Sequence, residues 1–307
     1  MRRLTKTRAS AYLALIFNAL LWGLALPIVK KGYQYGLTPN SFLIGHMLFA
    51  LVFSLPLVFY IRRRTTVRAT LKFKNIAKVI PLELLGTVLT LLLLYEGVRL
   101  TTAVESSLIS MTTPIFITLG GIFFLKEKEQ KNEWAGLLLA LVGTFLLVVK
   151  PLLNLGVNGS TYGNLLIIGQ NLTITTYYLI AKKVYKNLDK LTITHLSFWT
   201  GLTSFSLISI YSGISPITAI DSLFSLSSPW PLAAVLYMAI PGSILALTLY
   251  LQGQDKIEAS EASLFTYLQP MFAIPASIIL LSESVSLIEI TATAIIIAGV
   301  YLAEKRG

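Results

Sequence analysis

The sequence predicts an all-α polytopic membrane protein of ten transmembrane helices, arranged as two inverted five-helix repeats. Three observations carry that expectation: long apolar runs, a lopsided distribution of basic residues, and an internal duplication. The chain has 307 residues, 55% of them hydrophobic and 13% charged, with a mean hydropathy of +0.74. Soluble domains carry roughly 25% charged residues because their surface must meet water. A chain of this length cannot hide so much apolar area in one core, so its solvent is lipid. The net charge of +11 would suggest nucleic acid in a soluble protein, but here the charges sit in short loops between apolar runs. No nucleic-acid partner is expected. The absence of cysteine excludes disulfides and thiolate chemistry, and neither a metal nor a cofactor is implied.

The amino end carries Arg2, Arg3, Lys6 and Arg8 ahead of an apolar stretch, as a signal peptide would. The run from Ala11 to Val29 outlasts the ~7–15 residues of a signal core, and no convincing cleavage site follows it. It reads as a retained first membrane helix. A span needs ~20 mostly apolar residues. Nine more segments follow: Ser41–Ile61, Val79–Val98, Thr101–Leu125, Trp134–Val149, Thr161–Ala181, Leu191–Tyr211, Pro231–Gln254, Ala262–Leu281 and Val285–Ala303. Their apolarity is continuous, where barrel strands would alternate.

Numbering the loops alternately from the amino end puts 21 Lys and Arg residues on one side and four (Lys30, Lys31, Arg99, Lys150) on the other. By the positive-inside rule both termini face the cytoplasm, in a cell membrane. The basic segment 62–78, with apolar teeth at Val67, Leu71 and Phe73, fits against anionic lipid headgroups.

Shifting the chain by 156 residues lays Gly86–Leu146 on Gly242–Leu302 without a gap. Glu105 meets Glu261, Ser107 meets Ser263, Pro114 meets Pro270, Glu127 meets Glu283 and Gly143 meets Gly299. The first halves of the copies match more loosely, with Lys30-Lys31 near Lys182-Lys183 and Asn18 near Asn171. Residues 1–155 and 156–307 are therefore read as one five-helix unit written twice. An odd helix number makes the second copy enter the membrane from the opposite side. Secondary transporters use that symmetry because it makes inward-open and outward-open states near mirror images.

The duplicated blocks also resemble a known family. Thr101-Thr-Ala-Val-Glu-Ser-Ser-Leu through Thr113-Pro114, then Phe124-Leu-Lys-Glu127, is followed by Gly136 and Gly143. Ala259-Ser-Glu-Ala-Ser-Leu through Gln269-Pro270 is followed by Leu281-Ser-Glu283 and Gly299. Both are similar to the EamA-type repeat of the drug/metabolite transporter (DMT) superfamily, and Trp22-Gly23 fits its opening. The resemblance implies ten helices, termini inside, and a central cavity lined by helices one, three, four, six, eight and nine. It implies no particular solute. One departure is His46, where such repeats usually carry arginine.

Polar groups within a bilayer need a partner or a task. Asn18, Gln170 and Asn171 lie mid-helix, either binding solute at the repeat interface or tying helices together. Glu83 near the start of the third helix is the candidate for proton coupling or for a cationic solute; the other reading is an interfacial carboxylate near Lys78. Glu105 and Glu261 stand at helix starts as caps or alternating gate elements. Glu127 and Glu283, each ending a helix at the headgroups beside the next helix start, read similarly as caps in short hairpin turns. Pro114 and Pro270 are expected mid-helix as matched kinks. Trp22, Tyr178, Tyr250 and Tyr267 fall on cavity-lining helices, where rings could stack on a solute. His46 and His195 are too few for a metal site.

Enzyme motifs are absent from the sequence: no phosphate loop, no HExxH, no nucleophile elbow. The expected function is secondary transport of a small organic metabolite such as an amino acid. It would proceed by alternating access with protons as a candidate coupling ion, in a monomer or homodimer. A facilitator or channel-like uniporter is the alternative, ahead of a receptor or enzyme.

Overall fold

The computed structural model describes residues 6–64, 73–113, 115–117, 119–120, 131–153, 159–185, 190–254, 256 and 264–304. These residues are almost wholly helical, and none of them forms a strand. Helix α1 spans Lys6–Gln34 and α2 spans Pro39–Arg64. Helix α3 (Phe73–Glu83) runs through a π-helical stretch, Leu84–Leu89, into α4 (Thr90–Leu100). Then come α5 (Ala103–Ser110), α6 (Lys131–Leu153), α7 (Gly159–Val184), α8 (Lys190–Tyr211) and α9 (Pro216–Ser225). Helix α10 (Trp230–Tyr237) passes through a second π stretch, Met238–Leu245, into α11 (Ala246–Gln254). A 3₁₀ turn, Leu264–Leu268, leads into α12 (Gln269–Leu281), and α13 (Leu287–Glu304) is the last described helix.

Among the described residues, four helical stretches are long and apolar enough to cross a membrane: Arg8–Gln34, Pro39–Pro56, Lys78–Leu100 and Trp230–Tyr250. A fifth counts if α8 and α9 form one broken span. Shorter apolar helices run over Ala103–Ile117, Trp134–Leu147, Phe265–Leu281 and Leu287–Gly299. Helix α7 carries Asn164, Gln170, Asn171 and a run of threonines. Several of these side chains are turned onto α4, α5 and the turns that flank α5, through Thr173 to Thr90, Asn164 to Thr101, and Asn171 to Thr112 and Ile109.

The structure departs from the simple helical reading in three places. The third and eighth segments are each interrupted by a π stretch at matching positions of the duplication, Gly86 in one and Gly242 in the other. A proline, Pro81 or Pro241, sits just ahead of or within each, removing a backbone donor and easing the turn into wider geometry. The segment after Tyr211, read as a loop, contains α9, set at 95° to α8 with Ala219 and Leu223 buried and Ile217 and Phe224 exposed. Pro270 is not mid-helix: it occupies the first turn of α12, directly after the 3₁₀ turn, where a missing N–H leaves nothing unpaired. Pro114 lies outside the described residues.

Helix directions follow from contacts. Helix α1 begins where Ser10 accepts from Lys256 and ends where Lys30 meets Val98, Arg99 and Thr101. Helix α7 begins at that second end: a Cβ on Gly163 would lie 2.9 Å from Thr101 N. It reaches the first end at Tyr185, which bonds Glu83. So α7 runs antiparallel to α1. The end at which α1 starts is called the proximal end below, the other the distal end.

Helices α6 and α13 pack backbone to backbone. A Cβ on Gly143 would stand 2.8 Å from Ala292 O, and one on Gly299 would stand 2.6 Å from Gly136 O. Gly136 and Ala292 are themselves partners in the 156-residue shift, so the contact is reciprocal: each half supplies the same glycine against the same neighbour. Only a residue without a side chain permits that approach.

Candidate functional site

Helix α1 lies against α10, α11 and α12, while α7 lies against α3, α4 and α5. The leading helix of one half of the sequence therefore docks on helices of the other. Trp22 on α1 donates its Nε1–H to Gly242 O, 2.8 Å away, in the second π stretch. Tyr177 on α7 packs its ring on Gly86 of the first, so closely that a Cβ there would run into the ring. An aromatic from each leading helix thus seats on the glycine of the opposite π stretch, where backbone is laid open.

Three of the four aromatic side chains singled out from sequence come together at this junction. The Trp22 and Tyr250 rings are 5.7 Å apart. Tyr178 interacts electrostatically with Tyr250 and its ring lies 5.6 Å from that of Tyr177. Tyr178 keeps 49% of its surface accessible, so it borders open space. Such a wall of ring faces suits a flat or cationic group. Tyr267 is elsewhere, packed on the Val104, Leu108 and Ile296 cluster of α5 and α13.

The three amides separate by their partners. Asn18 is buried and donates to Ala246 O at 2.8 Å, tying α1 to α11. Asn171 donates to Ile109 O and Thr112 Oγ1 and accepts from Thr113 Oγ1, tying α7 to α5 and the residues just after it. Both are spent on helix–helix bonds. Gln170 is buried with no partner for its Oε1, and the hydroxyls of Ser107 and Ser110 on α5 are likewise unpaired. A buried acceptor left unpaired costs free energy unless something else fills it.

Glu83 is not solvated. It is fully buried, and its carboxylate accepts from Thr87 Oγ1 at 2.7 Å, Tyr185 OH at 2.6 Å and Tyr177 OH at 3.1 Å. All three donors are neutral hydroxyls, two of them from the other half, on and just after α7.

At the distal end a second polar group forms. Glu105, also buried, accepts from Thr101 Oγ1 and Asn164 Nδ2. It lies in the first turn of α5, where its charge faces the positive helix end. Thr102 caps α5 by accepting from Glu105 N at 3.0 Å, and Glu283 accepts from Ala103 N and Val104 N at 2.8 and 3.0 Å. Glu283 is thus a cap, but of α5 and not of the helix that follows it in the chain. Helix α13 starts with a capping box in which Ser286 and Glu289 bond each other's backbone N–H. Glu261 and Glu127 lie outside the described residues, as do residues 65–72 of the basic segment. His46, unassigned from sequence, places its Nε2 2.8 Å from Ser243 Oγ in the second π stretch. Among the described residues no cluster of His, Asp or Glu could hold a metal ion.

Comparison with known proteins fits this architecture. The sequence profile described as the EamA-like transporter family matches twice, over residues 9–149 and 161–304. The chain belongs to the EamA-like transporter family. It is an integral, multi-pass membrane protein with a transport role. Relatives include the uncharacterized transporter YetK of Bacillus subtilis, 28% identical over 71% of this chain and 64% of that one, just under two thirds of its length. An uncharacterized transporter of Archaeoglobus fulgidus is 23% identical over 96% and 99%. A probable amino-acid metabolite efflux pump of Salmonella typhimurium is 23% identical over 96% and 95%. A protein of known crystal structure shares the fold with a TM-score of 0.61, at 16% identity over 96% of each chain. The family points to a transporter rather than an enzyme.

Proposed function

We propose that this EamA-like transporter is a secondary transporter that exports a small organic metabolite, of amino-acid type, from the cytoplasm across the cell membrane. It works by alternating access between two inverted five-helix repeats, residues 1–155 and 156–307, with ten crossings and both termini inside. The observation that carries the reading is the exchange of leading helices: α1 sits on the second half, α7 sits on the first, and they run in opposite directions. The reciprocal Gly143 and Gly299 contacts support the same two-fold relation. Tilting one pair of docked helices against the other would open the space beside Trp22, Tyr178 and Tyr250 to one face at a time. The unpaired Gln170 Oε1 would accept from an ammonium or hydroxyl of the solute. Amino-acid cargo is taken from what the Salmonella relative is named for.

Coupling to protons is assigned to Glu83, the fully buried carboxylate whose partners among the described residues are all neutral hydroxyls. One observation favours an uncoupled facilitator: the three hydroxyl donors already satisfy that carboxylate, as a purely structural group would require. Reconstituted protein preloaded with candidate amino acids separates the two. Coupled export predicts flux that rises with an imposed pH gradient and loses that response in Glu83→Gln. Flux indifferent to the gradient in wild type supports the facilitator. No saturable flux of any small metabolite would overturn the transporter reading for these solutes.

A further inference from the structure

At the distal end, the turn between α4 and α5 is held from both sides by residues distant in sequence. Lys30, in the last turns of α1, uses all three ammonium protons. They go to Val98 O at 2.8 Å, Arg99 O at 2.8 Å and Thr101 O at 2.6 Å. Those carbonyls close α4 and form its negative end, where a cation belongs. Two residues later α5 begins, and its free N–H groups make a positive end. The Glu283 carboxylate accepts from two of them. Glu283 comes from the α12–α13 connection, and the backbone turns it there through Ser282, whose φ of 57° is the only positive value at a non-glycine residue among those described. Lys30 and Glu283 stand close enough to attract each other across the turn. So a cation from the first half and an anion from the second grip the opposite dipoles of one turn.

We propose that Lys30 and Glu283 form a latch that keeps the distal mouth of the transport pathway shut. The proposal rests on the alternating-access reading above. Opening the distal mouth must draw the α12–α13 connection away from the start of α5, which breaks both Glu283 bonds. Removing either charged group therefore favours the distal-open state. Charge-assisted bonds of this kind are worth enough to shift such an equilibrium about tenfold or more.

The cysteine-free sequence makes a direct test simple. Ser107→Cys, a buried position with an unpaired hydroxyl, reports access to the pathway. Tyr211→Cys, 95% exposed at the distal end of α8, identifies which vesicle preparation displays that face. Thr144→Cys, buried on α6, reports general loosening. A membrane-impermeant maleimide is added to right-side-out and inside-out vesicles. Lys30→Met and Glu283→Gln should each raise the labelling rate of the Ser107→Cys thiol about tenfold from the distal face, while Lys30→Arg and Lys31→Met leave it unchanged. The Thr144→Cys thiol should stay unreactive throughout. Unchanged labelling at position 107 in both latch variants overturns the proposal, and so does a rise shared by position 144. The readout needs no known solute, so failure of the proposed transport activity would be seen separately.

Discussion

The two acidic regions of this transporter that join its halves make a useful comparison. Near the proximal end, Glu83 sits among Thr87, Tyr177 and Tyr185, all neutral donors. At the distal end, Glu283 meets two backbone N–H groups with Lys30 nearby. Both groups bridge the two halves, but with different physics. The distal group is a charged clamp on helix ends, suited to holding a mouth closed. The proximal group is a buried carboxylate held by hydroxyl donors, the place where proton coupling is proposed.

The largest effect that would sharpen this contrast comes from Gly86→Leu. Any side chain there collides with the Tyr177 ring and drives Tyr177 off Glu83. Overpacking of this kind costs about 1–3 kcal/mol or more, which should appear as a clear drop in melting temperature in detergent and as loss of transport. A leucine tolerated without change would mean that the packing of α7 on the first π stretch is loose. Next comes Glu83→Leu against Glu83→Gln. The leucine strands buried hydroxyls at about 1–3 kcal/mol, whereas glutamine keeps an acceptor and should melt close to wild type. Equal losses would assign the whole effect to charge.

A smaller, pH-dependent effect separates the two regions. Burial pushes the Glu283 carboxyl above its ordinary value, with the Ala103 and Val104 N–H groups and Lys30 pulling it back and Glu289 adding to the rise. Arg99 and Glu105 complete the charged groups around Lys30. A raised carboxyl takes its proton at a higher pH than an exposed one, so mild acid neutralises the anion and weakens its grip on α5. The rate of distal labelling of the Ser107→Cys thiol with Glu283 intact, divided by the rate in Glu283→Gln at the same pH so that the common loss of thiolate cancels, should therefore increase as pH falls. A slope of the opposite sign would remove Glu283 from the latch.

Much of this architecture is legible in the sequence because it rests on periodic and duplicated features. Apolar runs give the helices, and the 156-residue register pairs Gly143 with Gly299. Trp22, Tyr178 and Tyr250 are reachable from the helices that carry them. Their partners are not. Nothing local says that Glu283 caps a helix starting 180 residues earlier, when a nearer helix start lies beside it; only Ser286-x-x-Glu289, the signature of a self-sufficient cap, hints that the nearer start is already served. The π stretches are equally silent, since they arise from packing against α1 and α7 as much as from Pro81 and Pro241. Asn18 and Asn171 illustrate a third limit. An amide in a membrane helix announces a hydrogen bond, but whether its partner is solute or helix depends on which face the neighbouring backbone meets.

Alternating access through this junction requires that Tyr178 face a water-accessible pathway between the halves rather than lipid. Tyr178→Cys in the otherwise cysteine-free chain tests this in native membranes with a hydrophilic and a lipid-soluble maleimide. Rapid reaction with the hydrophilic reagent, slowed by a transported solute, is the expected outcome. Reaction confined to the lipid-soluble reagent would put that side chain against the bilayer and contradict a solute site there.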